Sequence, residues 1–303
     1  MARVAKETGV ATQMGNQGRS GEGHRETLEW LADGAIGAVR EVQAWSGTPA
    51  SPKDPVHAMG SSVLPAGLNW DLWLGPRAER PFNSAYAPCN WRNFWDFGNG
   101  TMPDMGLHHL DPAFNALALD APLTIEASAS HVDPEICAGS HLVTYRYGAR
   151  GDRGPLTVTW YDNGLLPPTP QDIDPDDPRQ RLGEGENGLI IVGEKGLITC
   201  AGWSGMPRLL PLELSRAYKR PPRTIPRVEG HHADWLQACK GGTPAGSNFA
   251  YGARLTEFML LGNLALRTGK VLKWDPQEPR ASNAPEAQRF IEGTYRKGWE
   301  LPA

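Results

Sequence analysis

The middle of the chain contains the stretch Leu156-Thr157-Val158-Thr159-Trp160-Tyr161, in which apolar and polar side chains alternate. Alternation with a period of two is typical of an antiparallel strand with one buried face, because successive side chains of a strand point to opposite sides. Residues 142–147 are its predicted partner strand. Residues 189–192 and 197–199 flank a compact turn at 193–196, which predicts a hairpin. The sequence therefore predicts an antiparallel sheet in the middle of the chain.

Helical periodicity and a few breakers organise the rest of the chain. Residues 46–100 are rich in Pro, Gly and Trp and predict a long ordered excursion, because so many aromatic side chains need a place to be buried. Residues 165–187 hold many prolines and aspartates and predict a surface loop. The other predicted elements are helices over 2–8, 22–31, about 103–117, about 230–240 and 249–268, and strands over 10–14 and 39–45.

Composition excludes several classes of protein. The chain has 303 residues, is 40% hydrophobic and carries a formal net charge of −4 without a run of lysine or arginine. This indicates a globular protein and argues against nucleic acid or an anionic membrane as a partner. No apolar run approaches the roughly 20 residues of a membrane span, and the cytoplasm is the default compartment. The four cysteines lie far apart, which predicts reduced and mostly buried thiols.

The stretch from 98 to 111 carries the candidate acid–base chemistry. Asp104, His108 and Asp111 are three and four residues apart, so the helix predicted here places them in one row, and Pro103 suits its first position. One carboxylate can fix the tautomer of the imidazole while the ring moves a proton near neutral pH. A dehydrogenase or a lyase needs this chemistry. A hydrogen-bonded helix start buried in a core would show the same spacing.

Several short motifs together resemble the Gfo/Idh/MocA oxidoreductase family, in particular its branch with a bacterial-type oxidoreductase C-terminal domain. Each motif alone is weak, but their order and separation are specific, and the match runs along essentially all of the chain. The matching residues are 12–18, 71–76, 91–92, the Asp104/His108/Asp111 group, and 261–269 followed by 274–276.

The resemblance implies an α/β protein with an α+β C-terminal domain. In it, an open, mainly antiparallel sheet with helices packed on one face is preceded by a remnant of a Rossmann fold. Residues 1–20 would be that remnant, and residues 21–303 the substrate and oligomerisation domain. The Rossmann fingerprint after a first strand and the Glu-Lys-Pro motif of the family are both absent, so we expect a truncated chain with on the order of a hundred residues missing before Met1. Glu194-Lys195-Gly196 lies in the predicted hairpin turn and does not replace that motif.

The resemblance also implies roles for individual residues. His108 resembles the acid–base histidine of the family, and Asp104 the aspartate that orients it or binds a substrate hydroxyl. Arg92 suits a phosphate geometrically but is equally compatible with a surface salt bridge. Gly15 and Gly18 could simply form a turn. The candidate substrate-binding residues are Asp111, His109 and Trp91, and the candidate cofactor-binding residues are Asn16, Gln17 and Arg92.

Two further groups allow a structural and a functional interpretation. Trp70, Trp73, Trp91 and Trp95 could form a stacking platform for a sugar, although core or interface positions are the commoner use of such residues. His231-His232 and Asp234 invite a zinc site with His108 or His109 as a third ligand. The spacing shows no convergence of three ligands, so a histidine pair at a helix start is the preferred interpretation and no metal is predicted.

The implied function is an NAD- or NADP-dependent oxidation of a secondary hydroxyl of a sugar or polyol, with a His/Asp pair handling the proton. The resemblance also implies a homo-oligomer formed through the sheet. Two alternatives remain. One is a redox-neutral enzyme of the same family that cleaves or eliminates at a transiently oxidised sugar. The other is a non-catalytic sugar-binding or assembly module, because loss of the phosphate-binding loop removes the helix N-terminus that holds a dinucleotide.

Overall fold

A seven-stranded sheet lies at the centre of the molecule. The computed structural model describes residues 1–47, 58 and 60–300. The strands lie in the order β2-β3-β4-β1-β5-β6-β7, and all neighbours are antiparallel except β1 and β4, which are parallel. The mainly antiparallel sheet predicted from the sequence is therefore confirmed. The strand bounds are β1 (Val39–Ser46), β2 (Thr124–Ala129), β3 (His141–Tyr147), β4 (Leu156–Asp162), β5 (Asn187–Gly193), β6 (Leu197–Cys200) and β7 (Pro207–Leu210).

The predicted helices form around this sheet, two of them with the expected glycine at their end. Gly9 and Gly269 follow the first and the longest helix in the left-handed conformation, with φ of 67° and 63°. The helix bounds are α1 (Ala2–Thr8), α2 (Glu22–Ala32), α3 (Trp70–Leu74), α4 (Thr101–His109), α5 (Asp111–Ala116), α6 (Leu212–Ala217), α7 (His231–Cys239), α8 (Phe249–Thr268) and α9 (Gln288–Ile291). The short strands β8 (Trp274–Asp275) and β9 (Arg280–Ala281) pair with each other.

Each face of the sheet has its own cover. Helices α4 and α8 pack on one face, where Val158 and Trp160 are fully buried and Tyr145 contacts Phe258 of α8. Alternate residues of the same strands point to the opposite face. There Ile173 and Leu182, from the loop before β5, pack into a smaller apolar cluster. Helix α4 therefore lies on one face of the sheet only. Formation of a homo-oligomer through the other face stays a prediction.

The helix predicted over 103–117 is in fact two helices, α4 and α5, separated at Leu110. Pro112 explains the break, since it has no N–H to donate to the carbonyl of His108 and its ring disfavours a continuous helix. The carbonyl oxygen of His108 instead accepts a hydrogen bond from the hydroxyl of Ser204 at 3.1 Å. Pro103 is the third residue of α4 rather than the first. The break places Asp111 on a different helix from Asp104 and His108.

The prediction of a strand over 10–14 is wrong. Residues 10–14 are extended, but none of the described strands pairs with them. The backbone N–H of Met14 donates to the carbonyl of Ser247 at 2.8 Å, so this segment is tied to the residues before α8. A parallel strand requires a neighbouring strand for its ladder. The division into two domains at residue 20 stays a prediction.

The tryptophans of the 46–100 segment are mostly packed into the interior. Residues 48–57 and 59 of this segment lie outside the described residues. In the remainder, Trp70 and Trp73 stack with ring centroids 4.7 Å apart and contact a cluster that includes Tyr86, while Trp95 is buried. The core interpretation therefore fits these tryptophans. Trp91 remains exposed.

The four cysteines differ in their exposure. Cys137 and Cys200 are buried and Cys89 and Cys239 exposed, all four as free thiols, so the expectation of mostly buried thiols holds for two of them. None of the described helices combines the length and apolarity that spanning a bilayer requires.

Candidate active site

His108 lies in the last turn of α4 with its ring half-buried. Its Nδ1 is buried without a hydrogen-bond partner among the described residues. Burial lowers the pKa of His108; the negative charge of Asp104 opposes this effect, and His231 adds to it. The imidazole is therefore neutral near pH 7 and able to accept a proton.

Asp104 lies one turn before His108, but it pairs with Arg92 instead. Its carboxylate is 3.3 Å from Nε of Arg92. The side chain of Asp104 is 42% exposed and that of Arg92 is 34% exposed. No hydrogen bond joins Asp104 to His108 in the described part of the chain. Asp104 thus acts on the histidine through its charge rather than as a fixed acceptor. The guanidinium of Arg92 also lies 5.2 Å from the centroid of the exposed ring of Trp91. Cofactor binding by Arg92 and substrate binding by Trp91 stay predictions.

Asp111 is fully buried and does not join His108 in a row, contrary to the sequence prediction. It accepts hydrogen bonds from Nδ2 of Asn16 at 2.8 Å, from Nη1 of Arg19 at 3.0 Å, and from the hydroxyl of Tyr251. Burial raises the pKa of Asp111, and Arg19, Tyr251 and Asn16 oppose that rise. The carboxylate ties the residues after Met14 to α5 and α8, so it has no access to a substrate.

The two residues predicted to bind a cofactor near the start of the chain have different surroundings. The amide of Asn16 is buried; its nitrogen donates to Asp111, and its oxygen accepts from the hydroxyl of Ser247. Both ends of this side chain are therefore occupied. Gln17 is exposed, and its role stays a prediction.

His109 is packed behind His108 rather than open to a ligand. Its ring lies 5.9 Å from the ring of Trp160 and 5.5 Å from that of Trp203. Burial, with a smaller contribution from His108, lowers the pKa of His109 to about 3. A Cβ on Gly202 would lie 2.5 Å from its Nε2, so the backbone approaches the imidazole closely there. His109 is thus buried in this structure, and its contact with a substrate stays a prediction.

The turn at Trp203 and Ser204, which lies beside His108, was not predicted from the sequence. Both residues have positive φ, 56° and 57°, a conformation that costs about 1–3 kcal/mol for residues other than glycine. The indole of Trp203 is 43% exposed and its ring centroid lies 6.2 Å from that of His108. The available signal was a tryptophan enclosed by glycines in the loop between β6 and β7.

Two glycines hold this turn against the start of α2. A Cβ on Gly18 would lie 2.2 Å from the carbonyl oxygen of Trp203, and one on Gly23 would lie 2.4 Å from that of Ser204. Ser204 in turn donates to the carbonyl of His108. The turn is therefore fixed from two sides and presents the indole next to the acid–base histidine.

His231 stabilises the segment that precedes α2. Its Nε2 lies 2.8 Å from the carbonyl oxygen of Met14, which can only accept, so Nε2 donates and Nδ1 accepts from Ser20 at 2.8 Å. Gln13 donates to the carbonyl of His231 at 2.7 Å. Both ring nitrogens of His231 are thus occupied, and they are not free for a zinc ion.

The described residues do not fit a dinucleotide. A pyrophosphate site needs a strand, a glycine-rich loop and a helix N-terminus in that order. Residues 183–188 have the spacing Gly-x-Gly-x-x-Gly, but they lead into β5 and not from a strand to a helix. Glycine is required at positions 183 and 188 because the ring of Trp45 lies against both. A Cβ would lie 2.5 Å from this ring at Gly183 and 2.3 Å from it at Gly188.

Comparison with known proteins identifies the fold. Residues 47–153 match a family model described as "Oxidoreductase family, C-terminal alpha/beta domain". No curated protein sequence matches this chain. The WlbA dehydrogenase from Bordetella pertussis, solved with NADH and UDP-GlcNAcA, is similar with a TM-score of 0.53 and 13% identity over 90% of this chain and 66% of that chain.

Two other solved structures are similar to the same extent. An NAD-binding protein from Listeria innocua has a TM-score of 0.52 and 11% identity over 89% of this chain and 66% of its own. A levoglucosan dehydrogenase in complex with NADH has a TM-score of 0.52 and 12% identity over 90% of this chain and 68% of its own. The chain thus spans about two thirds of the length of these structures. Identities this low show the fold alone.

Proposed function

We propose that this chain, whose residues 47–153 match the C-terminal domain of the Gfo/Idh/MocA oxidoreductases, binds the substrate in an NAD(P)-dependent oxidation of a sugar or polyol. The observation that carries the proposal is the neutral, half-buried His108 beside the exposed indole of Trp203. Similar structures solved with NADH and a nucleotide sugar, or named for a sugar substrate, support it.

In this proposal His108 accepts the proton of a secondary hydroxyl as that carbon is oxidised. A neutral imidazole is the required form of the base, and burial provides it. The charge of Asp104 then stabilises the imidazolium, since an opposite charge nearby favours the protonated ring. A nicotinamide cofactor would accept the hydride. Because the described residues contain no cradle for a dinucleotide, we assign to them only proton transfer and substrate binding.

Trp203 gives the site its preference for a carbohydrate. An indole offers a flat apolar face, which suits the side of a sugar ring where the C–H groups lie together. The rigid backbone of the turn keeps this face next to His108. The hydroxyl to be oxidised would lie on the edge of the sugar nearest to the imidazole.

Reduction of the cofactor tests the proposal. The chain extended upstream to the next in-frame start is incubated with NAD⁺ or NADP⁺ and a panel of aldoses, uronic acids and inositols, because the described residues alone contain no cradle for the dinucleotide. The reduced nicotinamide is followed by its absorbance. We expect His108→Asn to lower the rate by about 10²–10⁴-fold, as for loss of a general base. The control His131→Asn changes an exposed histidine and leaves the rate unchanged.

Two results would count against this function. A reduction rate that is the same in His108→Asn as in the wild type would remove the histidine from the reaction. Conversion of a sugar without stoichiometric release of reduced cofactor would instead support the redox-neutral alternative.

A further inference from the structure

A long apolar groove runs along the outer side of α8, and none of Asp104, His108 and Trp203 lines it. Its volume is about 650 Å³, within the range of sites that bind small organic ligands. The wall combines leucines of α8 and aromatic side chains from other segments with small and polar residues of α8 and with Met1 and Ala2 at the start of the chain. The leucines and aromatic side chains include Leu260, Leu261, Leu264, Trp95, Trp274 and Phe290.

Helix α8 has apolar side chains on the groove side as well as on the side of the sheet, although Arg254 and Glu257 are exposed on it. Leu255, Phe258 and Met259 are buried on the side that packs against the sheet. On the groove side, Leu260 is 37% exposed, while Leu261 and Leu264 line the wall with exposures of only 4% and 5%. An exposed apolar side chain beside an apolar wall favours an apolar partner. The groove is therefore a surface suited to an apolar occupant.

Arg267 is a cation at the C-terminal end of this groove without an anionic partner. Its guanidinium lies 3.9 Å from the ring centroid of Phe290 and 4.9 Å from that of Trp95. Among the described residues it makes no hydrogen bond and no ion pair, and the nearby Asp96 is paired with Arg80. Burial lowers the pKa of Arg267. Its N–H donors thus remain available in a partly dehydrated position.

These features define the chemistry of the occupant. A guanidinium that has lost part of its water is stabilised by an acceptor, and its planar fork matches a carboxylate with two parallel hydrogen bonds. Glu257 also lines the groove, but it accepts from the indole nitrogen of Trp274 at 2.8 Å. It lies ten residues from Arg267 along α8, which is about 15 Å. The anionic end of a ligand would therefore be placed at Arg267 and its apolar body along the leucines.

We propose that this groove binds a small amphipathic monocarboxylate, with the carboxylate on Arg267 and an acyl chain along Leu264, Leu261 and Leu260. The rise of α8 from Leu260 to Arg267 is about 10 Å, which suits a chain of medium length. This site is separate from the proposed oxidation of a sugar, and neither depends on the other.

The experiment compares sodium decanoate with decan-1-ol, which has a similar apolar chain but no charge. Binding to the whole chain is measured by calorimetry below the micellar concentration, and by the fluorescence of the tryptophans in the groove wall. We expect saturable binding of decanoate, at least tenfold tighter than that of the alcohol. Arg267→Gln lowers the affinity for decanoate at least tenfold, and Arg267→Lys, which keeps the charge without the fork, falls between.

Arg289→Gln is the matched control. Arg289 also lies over the ring of Phe290, at 4.5 Å, but its side chain is exposed and does not line the groove. This variant keeps the wild-type affinity for decanoate. If Arg267→Gln does not fold, Leu260→Trp fills the groove from a partly exposed position with Arg267 intact, and it abolishes binding.

Three results would overturn the proposal. They are no saturable binding of decanoate, equal affinities for decanoate and decan-1-ol, and an equal loss of affinity in Arg267→Gln and Arg289→Gln. Cofactor reduction is measured independently, so failure of the proposed oxidoreductase activity leaves the outcome of this experiment unaffected.

Discussion

At the scale of single residues, Asp111 and His108 show what spacing in the sequence can and cannot decide. Both residues were candidates because of the same three- and four-residue spacing. His108 lies on α4 with Asp104, as that spacing predicts, and its role as the base is a proposal. Asp111 differs because Pro112 ends the helix, and the carboxylate turns toward Arg19 and Tyr251. These partners lie about 90 and 140 residues away in the sequence, and no local pattern identifies them.

Replacing Asp111 by Asn tests its structural role. Asn cannot neutralise Arg19, whose side chain is only 13% exposed, and we expect the variant to lose about 3 kcal/mol of unfolding free energy. Urea denaturation measures this loss. Glu7→Gln is the control, because Glu7 forms an exposed ion pair with Arg3 that contributes less than about 1 kcal/mol. Equal stabilities of the Asp111→Asn variant and the wild type would contradict the assignment.

His109 predicts a pH dependence of stability. Burial lowers its pKa from 6.5 to about 3 in the folded protein, so between these values the unfolded chain binds a proton that the folded chain does not. The free energy of unfolding therefore falls as the pH falls below 6.5, by up to about 1.4 kcal/mol per pH unit from this group. His109→Phe removes this contribution and keeps the contacts with Trp160 and Trp203.

The pH effect is measured as a difference between two proteins. Urea denaturation of the wild type and of His109→Phe is compared at neutral and at mildly acidic pH, which cancels the contributions of other groups. We expect the variant to gain stability relative to the wild type as the pH falls. The same pH dependence in both proteins would show that His109 is not a buried neutral imidazole.

At the scale of elements, local patterns predicted most helices and strands. The alternation in β4 and the turn between β5 and β6 identify the sheet, because each strand has one face against the helices. The predicted helix over 249–268 agrees with α8, which the structure bounds with Asn248 as N-cap and Gly269 as C-cap. The segment from Val10 to Met14 was misinterpreted, since its pattern fits a strand but no described strand pairs with it. Strand pairing depends on neighbours, which a local pattern does not contain.

The turn of Trp203 lay beyond sequence analysis for a similar reason. Its conformation is fixed by Gly18 before α2, by Gly23 within α2, and by the carbonyl of His108 on α4. Three separate parts of the chain must come together before the indole is placed beside the histidine. The positive φ of Trp203 is then maintained by these contacts and not by its own preference.

Gly18→Ala tests whether this turn positions the substrate. The added Cβ would lie 2.2 Å from the carbonyl oxygen of Trp203, so the turn has to move. We expect the affinity for the best-binding sugar of the panel to fall at least tenfold and the near-ultraviolet circular dichroism to change. Gly154→Ala is the control, because no heavy atom lies within 4 Å of its added Cβ. Unchanged sugar binding in Gly18→Ala would separate the turn from the site.

At the scale of the whole molecule, the sheet and the two helices on one of its faces place His108 and Trp203 together at one site. The family resemblance was visible in the sequence because several weak motifs occur in a specific order, and the match at residues 47–153 confirms it for that part of the chain. Substrate binding in an oxidoreductase is the function that we propose for the described residues. Formation of a homo-oligomer through the outer face of the sheet stays a prediction.

The measurement that tests the central claim most directly is sugar binding by the whole chain. Saturation-transfer NMR detects this binding for the panel of sugars and polyols, in the presence and absence of NAD⁺. We predict saturable binding of at least one compound, a shift of the His108 ring protons, and at least a tenfold loss of affinity in Trp203→Ala. The exposed Trp235, changed to Ala, is the control and leaves binding unchanged. If no compound binds under either condition, or if Trp203→Ala binds as tightly as the wild type, the site around His108 is not a carbohydrate site.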